Sequence, residues 1–100
     1  MLKVLLTDEV QADIEELRDR KAKAKIRLAL DKLELGNLGD VKPVGEGVSE
    51  IRLHYGPGYR IYYFQDGEAI YVVACVGDKA TQSKDVRRAK EIKRTWKLLH

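Results

Sequence analysis

A change of hydrophobic period near residue 41 constrains this chain more than any other feature. From Val41 to Val76 the period is two, as in β-strands whose side chains alternate between faces. In Glu50-Ile51-Arg52-Leu53-His54-Tyr55, the residues Ile51, Leu53 and Tyr55 point one way and Glu50, Arg52 and His54 the other. Gly56-Pro57-Gly58 is a turn, Tyr59 to Phe64 is rich in strand formers, and Asp66-Gly67 is a two-residue hairpin signal. Ala69 to Val76 is apolar throughout, as in a central strand covered on both faces. The tight turns make these strands antiparallel neighbours.

Outside this block the period is helical. Leu2 to Leu6 is a short apolar strand, after which Thr7 caps a helix with Asp8 and Glu9 in its first turn. Val10, Ile14 and Leu17 fall at helical spacing, as do Ala22, Ile26, Leu30 and Leu33 in a second helix that stops at Gly36-Asn37. The charged patch Arg18-Asp19-Arg20-Lys21 between them reads as the bend of a helical hairpin. A last helix from about Gln82 to Leu98 carries Val86, Ala89, Ile92 or Lys93, and Trp96 on or near one face. The order β-α-α-β-β-β-α predicts an α+β fold. It combines an antiparallel-rich sheet of about four strands with an N-terminal helical hairpin and a C-terminal helix, the helices on one face. With 100 residues and no linker or repeat, residues 1–100 read as a single domain.

Hydrophobic residues make up 44% of the chain and charged residues 35%, which suits a packed domain rather than a disordered tail. No apolar stretch approaches the roughly 20 residues that span a bilayer. Met1 to Leu6, with Asp8 following, is too short for the apolar region of a signal peptide. These features predict a cytoplasmic protein with no membrane association. Lone Cys75 lies within the apolar strand and reads as a buried structural thiol, in keeping with a reducing compartment. One cysteine with His54 and His100 cannot supply a closed zinc site. Gly45-Glu46-Gly47 and Gly56-Pro57-Gly58 read as turns rather than phosphate cradles. No metal and no cofactor are expected.

The formal net charge is only +3, but its distribution is uneven. Arg18, Arg20, Lys21, Lys23, Lys25 and Arg27 follow an acidic start. Lys84, Arg87, Arg88, Lys90, Lys93, Arg94 and Lys97 crowd the C-terminal helix. Two basic helices attract a polyanion or an acidic protein partner; the plainer reading is two solvated helix faces.

The polar positions of the strands gather cationic and proton-transfer groups. Arg52 and His54 are two apart and share a face; Arg60 opens the next strand across the turn, near His54. Lys42 sits on the preceding strand, and Lys79 follows the end of the central strand. Metal-independent RNA cleavage needs a base for the 2′-OH, cations for the phosphate and an acid for the leaving 5′-oxygen. Arginine suits the phosphate because its planar fork matches phosphate geometry. His54 suits the base or the acid because its ordinary pKa is near neutrality. Tyr59 or Tyr62 suits base stacking. Each also has a structural reading: a strand histidine, packing tyrosines, a surface arginine beside a turn.

Gly36-Asn37-Leu38-Gly39-Asp40-Val41-Lys42-Pro43-Val44-Gly45, followed by Gly47-Val48-Ser49-Glu50-Ile51-Arg52, resembles the HigB-like branch of the RelE/ParE toxin superfamily. This branch is the phage-Gp49-like, "addiction module killer" group. Gly56-Pro57-Gly58-Tyr59-Arg60-Ile61-Tyr62-Tyr63 is the most specific stretch. Gly77-Asp78-Lys79 with Gln82 and Lys84-Asp85 is similar to the signature that follows, and the likeness runs from about Leu17 to Ala89. There are departures. The first helix has Asp13-Ile14 where a Trp-Leu pair is common, Val76 precedes Gly77-Asp78-Lys79 where many members have glycine, and Asp85 stands near the place of a RelE-branch tyrosine.

The resemblance implies a type II toxin: a ribosome-dependent, metal-independent mRNA endonuclease that inhibits translation. A cognate HigA-like helix-turn-helix antitoxin would neutralise it, in a toxin–antitoxin hetero-oligomer. Carried over residue by residue, it assigns catalysis to Arg52, Arg60 and Lys79, with His54 at another basic position of the strand. Lys42, Tyr59, Tyr62 and Lys84 are candidate RNA contacts. Asp85 is a candidate acid or base, and equally a first-turn helix acid. The basic helices are left to ribosomal RNA or to the antitoxin. Two alternatives share the sequence features: a ParE-like gyrase inhibitor that cleaves nothing, and a non-catalytic RNA-binding module.

Overall fold

The computed structural model describes residues 2–99, so His100 lies outside the described residues. The chain runs β1 (Lys3–Leu6), α1 (Asp8–Glu15), α2 (Arg20–Glu34), β2 (Val41–Gly45), β3 (Val48–Arg52), β4 (Arg60–Asp66), β5 (Ile70–Gly77), a 3-10 turn at Lys79–Thr81, and α3 (Gln82–Leu99). One five-stranded sheet has the order β1-β5-β4-β3-β2. β5 pairs parallel with β1, and the other neighbours pair antiparallel. The α+β class agrees with the sequence reading; the order does too, except that four strands rather than three lie between α2 and α3, which makes the sheet five-stranded.

Local chemistry sets the boundaries. The Thr7 side chain accepts the Val10 N–H at 3.2 Å, and Asp19 caps α2 by accepting from Lys21 and Ala22, which makes the charged patch a bend. Gly36, at φ 80°, closes α2, with its N–H on the Leu33 carbonyl and that of Asn37 on Lys32. The connection after Asp66 spans residues 67–69 with Gly67 at φ 73°, one residue longer than the hairpin expected there.

The layering differs from the expectation of helices on one face. Val10 and Ile14 of α1 and Ile26, Leu30 and Leu33 of α2 bury against Ile51, Ile61, Tyr63 and Val73. α3 covers the opposite face, where Ala89, Val86, Ile92 and Trp96 meet Val48, Tyr62, Phe64, Val72 and Ala74. Each fully buried apolar side chain contributes about 1.5–3 kcal/mol, so neither face of β3 to β5 is left open along its apolar length. This accounts for the unbroken apolar run of β5, an inner strand with a helical layer on both sides. Trp96 anchors the far part of α3, donating its indole N–H to Asp66 Oδ2 at 2.9 Å and meeting Phe64 edge to face. Lys93 and Arg94 tie the helix to the β2–β3 turn through Glu46.

β3 also ends sooner than the alternating pattern implies. One further bond, Leu53 N–H to the Tyr59 carbonyl, extends the pairing; the Tyr55 N–H then turns back onto the Leu53 carbonyl. His54 is therefore beyond the strand.

Candidate functional site

The polar end of the α3-covered face lies where β3 and β4 pair. Arg52 and Arg60 are directly opposed across the two strands, and Glu50 opposes Tyr62 on the same face. Antiparallel register puts opposed side chains on one side of the sheet, so both guanidinium groups emerge side by side. Glu50 lies beneath them, the one buried charged side chain among the described residues, at 0% exposure. Its Oε1 accepts from Arg52 Nε at 3.1 Å and lies 3.9 Å from Arg60 Nε. Its Oε2 accepts from Gln82 Nε2, at the start of α3, at 2.7 Å. Burial pushes the Glu50 carboxyl up, but the bonds from Gln82 and Arg52 and the Arg60 charge outweigh it. The group is held below its ordinary range and stays ionised. Sequence reading passed over Glu50. The signal was present, an acid at a period-two position sharing a face with Arg52.

Arg60 is also held from the turn. Its Nη1 donates to the carbonyls of Gly58 at 3.1 Å and Tyr59 at 3.3 Å. Gly58 has φ 80°, and a Cβ there would lie 3.4 Å from both Arg60 Nη1 and Lys79 Cβ. The Gly-Pro-Gly turn thus brings Lys79, on its 3-10 turn, beside Arg60. A glycine suits this position for its backbone and for the close approach. Opposite Arg60 on β5 is Gly77. A Cβ on Gly77 would collide with Asp85 Oδ2, so the Asp85 carboxylate rests on the strand backbone. Thr81 Oγ donates to that oxygen at 2.6 Å.

The remaining sequence candidates fall in three places. His54 is exposed and donates Nε2–H to Asp40 Oδ2 at 2.6 Å; its bond is to the α2–β2 connection rather than to Arg60, the neighbour expected from the strand pattern. Arg52 and His54 together line a recess of about 240 Å³ whose far wall is Lys25, Leu28 and Lys32 of α2. Tyr59, Lys84 and Asp85 line a second groove of about 590 Å³ between α1 and α3, with Cys75, Val76 and Gly77 at its floor. Lys42 is exposed on edge strand β2, opposite Glu50. Tyr62 is fully buried, so a base has no access to its ring in this conformation, contrary to the stacking expectation. Its phenol is buried close to the Glu50 carboxylate, and burial and then the Glu50 charge push its pKa well up. Cys75 is buried as expected, and burial followed by the Asp85 charge pushes its thiol up to about 12.

Fold and site together define an α+β domain whose five-stranded sheet carries a paired-arginine rim at one end. Over 93% of its length the chain is similar to 96% of a double arginine-to-alanine mutant of the E. coli toxin RelE in the free state. The TM-score is 0.70 and the identity 22%, a likeness of fold. The chain belongs to the phage-derived Gp49-like protein family (DUF891), whose pattern it matches over residues 12–97. A protein of Haemophilus influenzae, described as uncharacterized, is 40% identical over 77 residues, which is 77% of this chain and 78% of that one. No helix among the described residues is long and apolar enough to cross a membrane.

Proposed function

We propose that this protein is the toxin of a type II toxin–antitoxin pair. In this reading it is a ribosome-dependent mRNA endonuclease whose chemistry uses side chains and no metal. The observation that carries the reading is the opposed pair Arg52 and Arg60 at a sheet end, with Lys79 packed by its Cβ near the Gly58 turn that holds Arg60. Two planar forks and a lysine beside one another suit a phosphodiester whose charge grows as the 2′-oxygen attacks phosphorus. His54 is the proposed proton-transfer group. With Nε2–H engaged by Asp40, its Nδ1 is the free nitrogen, a carboxylate–imidazole arrangement that fixes the tautomer of a general base. Asp85, pinned by Thr81 above Gly77, is the second candidate for proton transfer. Tyr59, Lys42 and Lys84 are proposed RNA contacts.

The proposed partners are a HigA-like helix-turn-helix antitoxin and the ribosome with its mRNA, in the cytoplasm. α2 offers a surface for one of them. Leu28 and Leu35 are 53% and 74% exposed, among Lys25, Arg27 and Lys32. Such a surface combines apolar area with positive charge.

Primer extension on cellular mRNA after brief induction tests the reading. Sharp cuts within translated codons are expected. Growth arrest with intact mRNA and DNA-damage signalling would contradict it and favour gyrase inhibition.

A further inference from the structure

We infer that Glu50 is a positioning residue: its buried carboxylate holds Arg52 and Arg60 side by side and aims their forks at one anion. This deepens the reading above and rests on it for the identity of the anion. Directly opposed like charges on neighbouring strands repel, so Arg52 and Arg60 do not hold this geometry unaided. Glu50 supplies the opposite charge from below. Its position two residues before Arg52 places it on the same face, where it and its register partner Tyr62 are both fully buried.

The contacts are made at the base of each fork. Glu50 Oε1 accepts from Nε of Arg52 at 3.1 Å, and Nε of Arg60, which has no hydrogen-bond partner, faces the same oxygen at 3.9 Å as an ion pair. A carboxylate bound at Nε fixes the plane of a guanidinium while leaving its other edge for a bidentate anion. Gln82 completes the device by holding Oε2 from the first residue of α3, so the aim of the arginines is referred to the helix packed on that face. A buried acid that engaged only one cation would be an ordinary ion pair. One shared between two opposed cations and braced from a helix is a support for both.

The test uses the full chain with Glu50→Gln, which keeps shape and removes charge. NMR of the arginine Nε–H groups, with inorganic sulfate as the anion probe, reads the geometry without any RNA. In the wild-type chain the Arg52 Nε–H should be shifted downfield and protected from exchange; in Glu50→Gln both features should be lost. Sulfate binding at the pair should weaken about 10–100-fold, the range seen when an outer partner that orients a ligand-binding group is removed. On programmed ribosomes, single-turnover mRNA cleavage should fall about 100-fold, as expected for misplaced groups. Ribosome binding should stay unchanged. Glu50→Asp should recover part of the loss.

If the wild-type chain cleaves no mRNA but the Arg52 signal and sulfate affinity still depend on Glu50, the positioning role holds and the nuclease reading falls. A folded Glu50→Gln chain with wild-type Nε signals and sulfate affinity overturns the inference. If Glu50→Gln does not fold, Gln82→Met decides, because it keeps the charge and frees Oε2. A smaller shift in the same direction supports positioning, and an unchanged spectrum and affinity leaves Glu50 a folding residue only.

Discussion

Arg52 and Arg60 stand directly opposite each other on adjacent antiparallel strands, two like charges on one face at the end of the sheet. Such a pair costs stability unless an opposite charge lies beside it, as the buried Glu50 does here; in the proposed reading the pair meets a phosphate. Arg60→Ala should lower cleavage about 100–1000-fold, the range for losing one preorganised donor to a developing anion. Cells should tolerate this variant while it still captures the antitoxin in a pull-down. Arg60→Lys should restore little, because a lysine has no fork to meet both the turn carbonyls and a phosphate. Toxicity of Arg60→Ala at the wild-type level contradicts the assignment.

Glu50 gives the fold a pH dependence of defined sign. Its folded-state pKa is held below the ordinary 4.5, so the unfolded chain takes up the proton first as pH falls. The contribution is fully present above the unfolded value and disappears as pH drops through the folded one. At pH 7, Glu50→Gln should be less stable than wild type by about 1–3 kcal/mol, as for a buried partner lost. Urea unfolding should show that gap constant down to about pH 5 and closing below it. A gap that widens in acid contradicts this account.

Cys75 has its thiol pushed up to about 12 by burial and then by the Asp85 charge, so almost none is thiolate at neutral pH. Iodoacetamide at pH 7.5, about one unit below an ordinary thiol pKa, should leave the folded chain unlabelled and label the same chain promptly in denaturant. Rapid labelling of the folded chain would mean that the groove above β5 admits reagents the structure excludes.

Gly77 has no room for a side chain, because Asp85 occupies the space over it. Gly77→Ala should destabilise the chain by about 1–3 kcal/mol, the usual cost of overpacking. Asp85→Ala should absorb much of that loss when the two are combined, since residues in contact are not additive. Thermal melts of the two single variants and the double variant check this, and simple additivity counts against it.

Much of the fold was legible because period and turn chemistry are local. Thr7, Asp19 and Gly36 cap helices in the ordinary way, and the Gly-Pro-Gly turn pairs β3 with β4. The face covered by α3 was not legible. Val48, Phe64 and Val72 are apolar on that side, but the polar residues Arg52, Arg60 and Glu50 share it, which masks the apolar pattern. The same mixture hid Glu50, whose worth depends on Gln82, distant in sequence. It also misjudged Tyr62, a residue that reads as surface aromatic until α3 is laid over it. His54 was misplaced because strand termination depends on a single backbone bond at Tyr55 rather than on composition.

The central claim is that the paired arginines serve RNA cleavage on the ribosome. The most direct measurement is 5′-end mapping of mRNA in a purified translation system supplied with this chain, its Arg52→Ala and Arg60→Ala variants, or ribosome-free mRNA. The account predicts cuts at translated codons with wild type, none with free mRNA, and strong loss with either variant. Intact mRNA with wild-type protein, or cutting at the wild-type level by both variants, would contradict it.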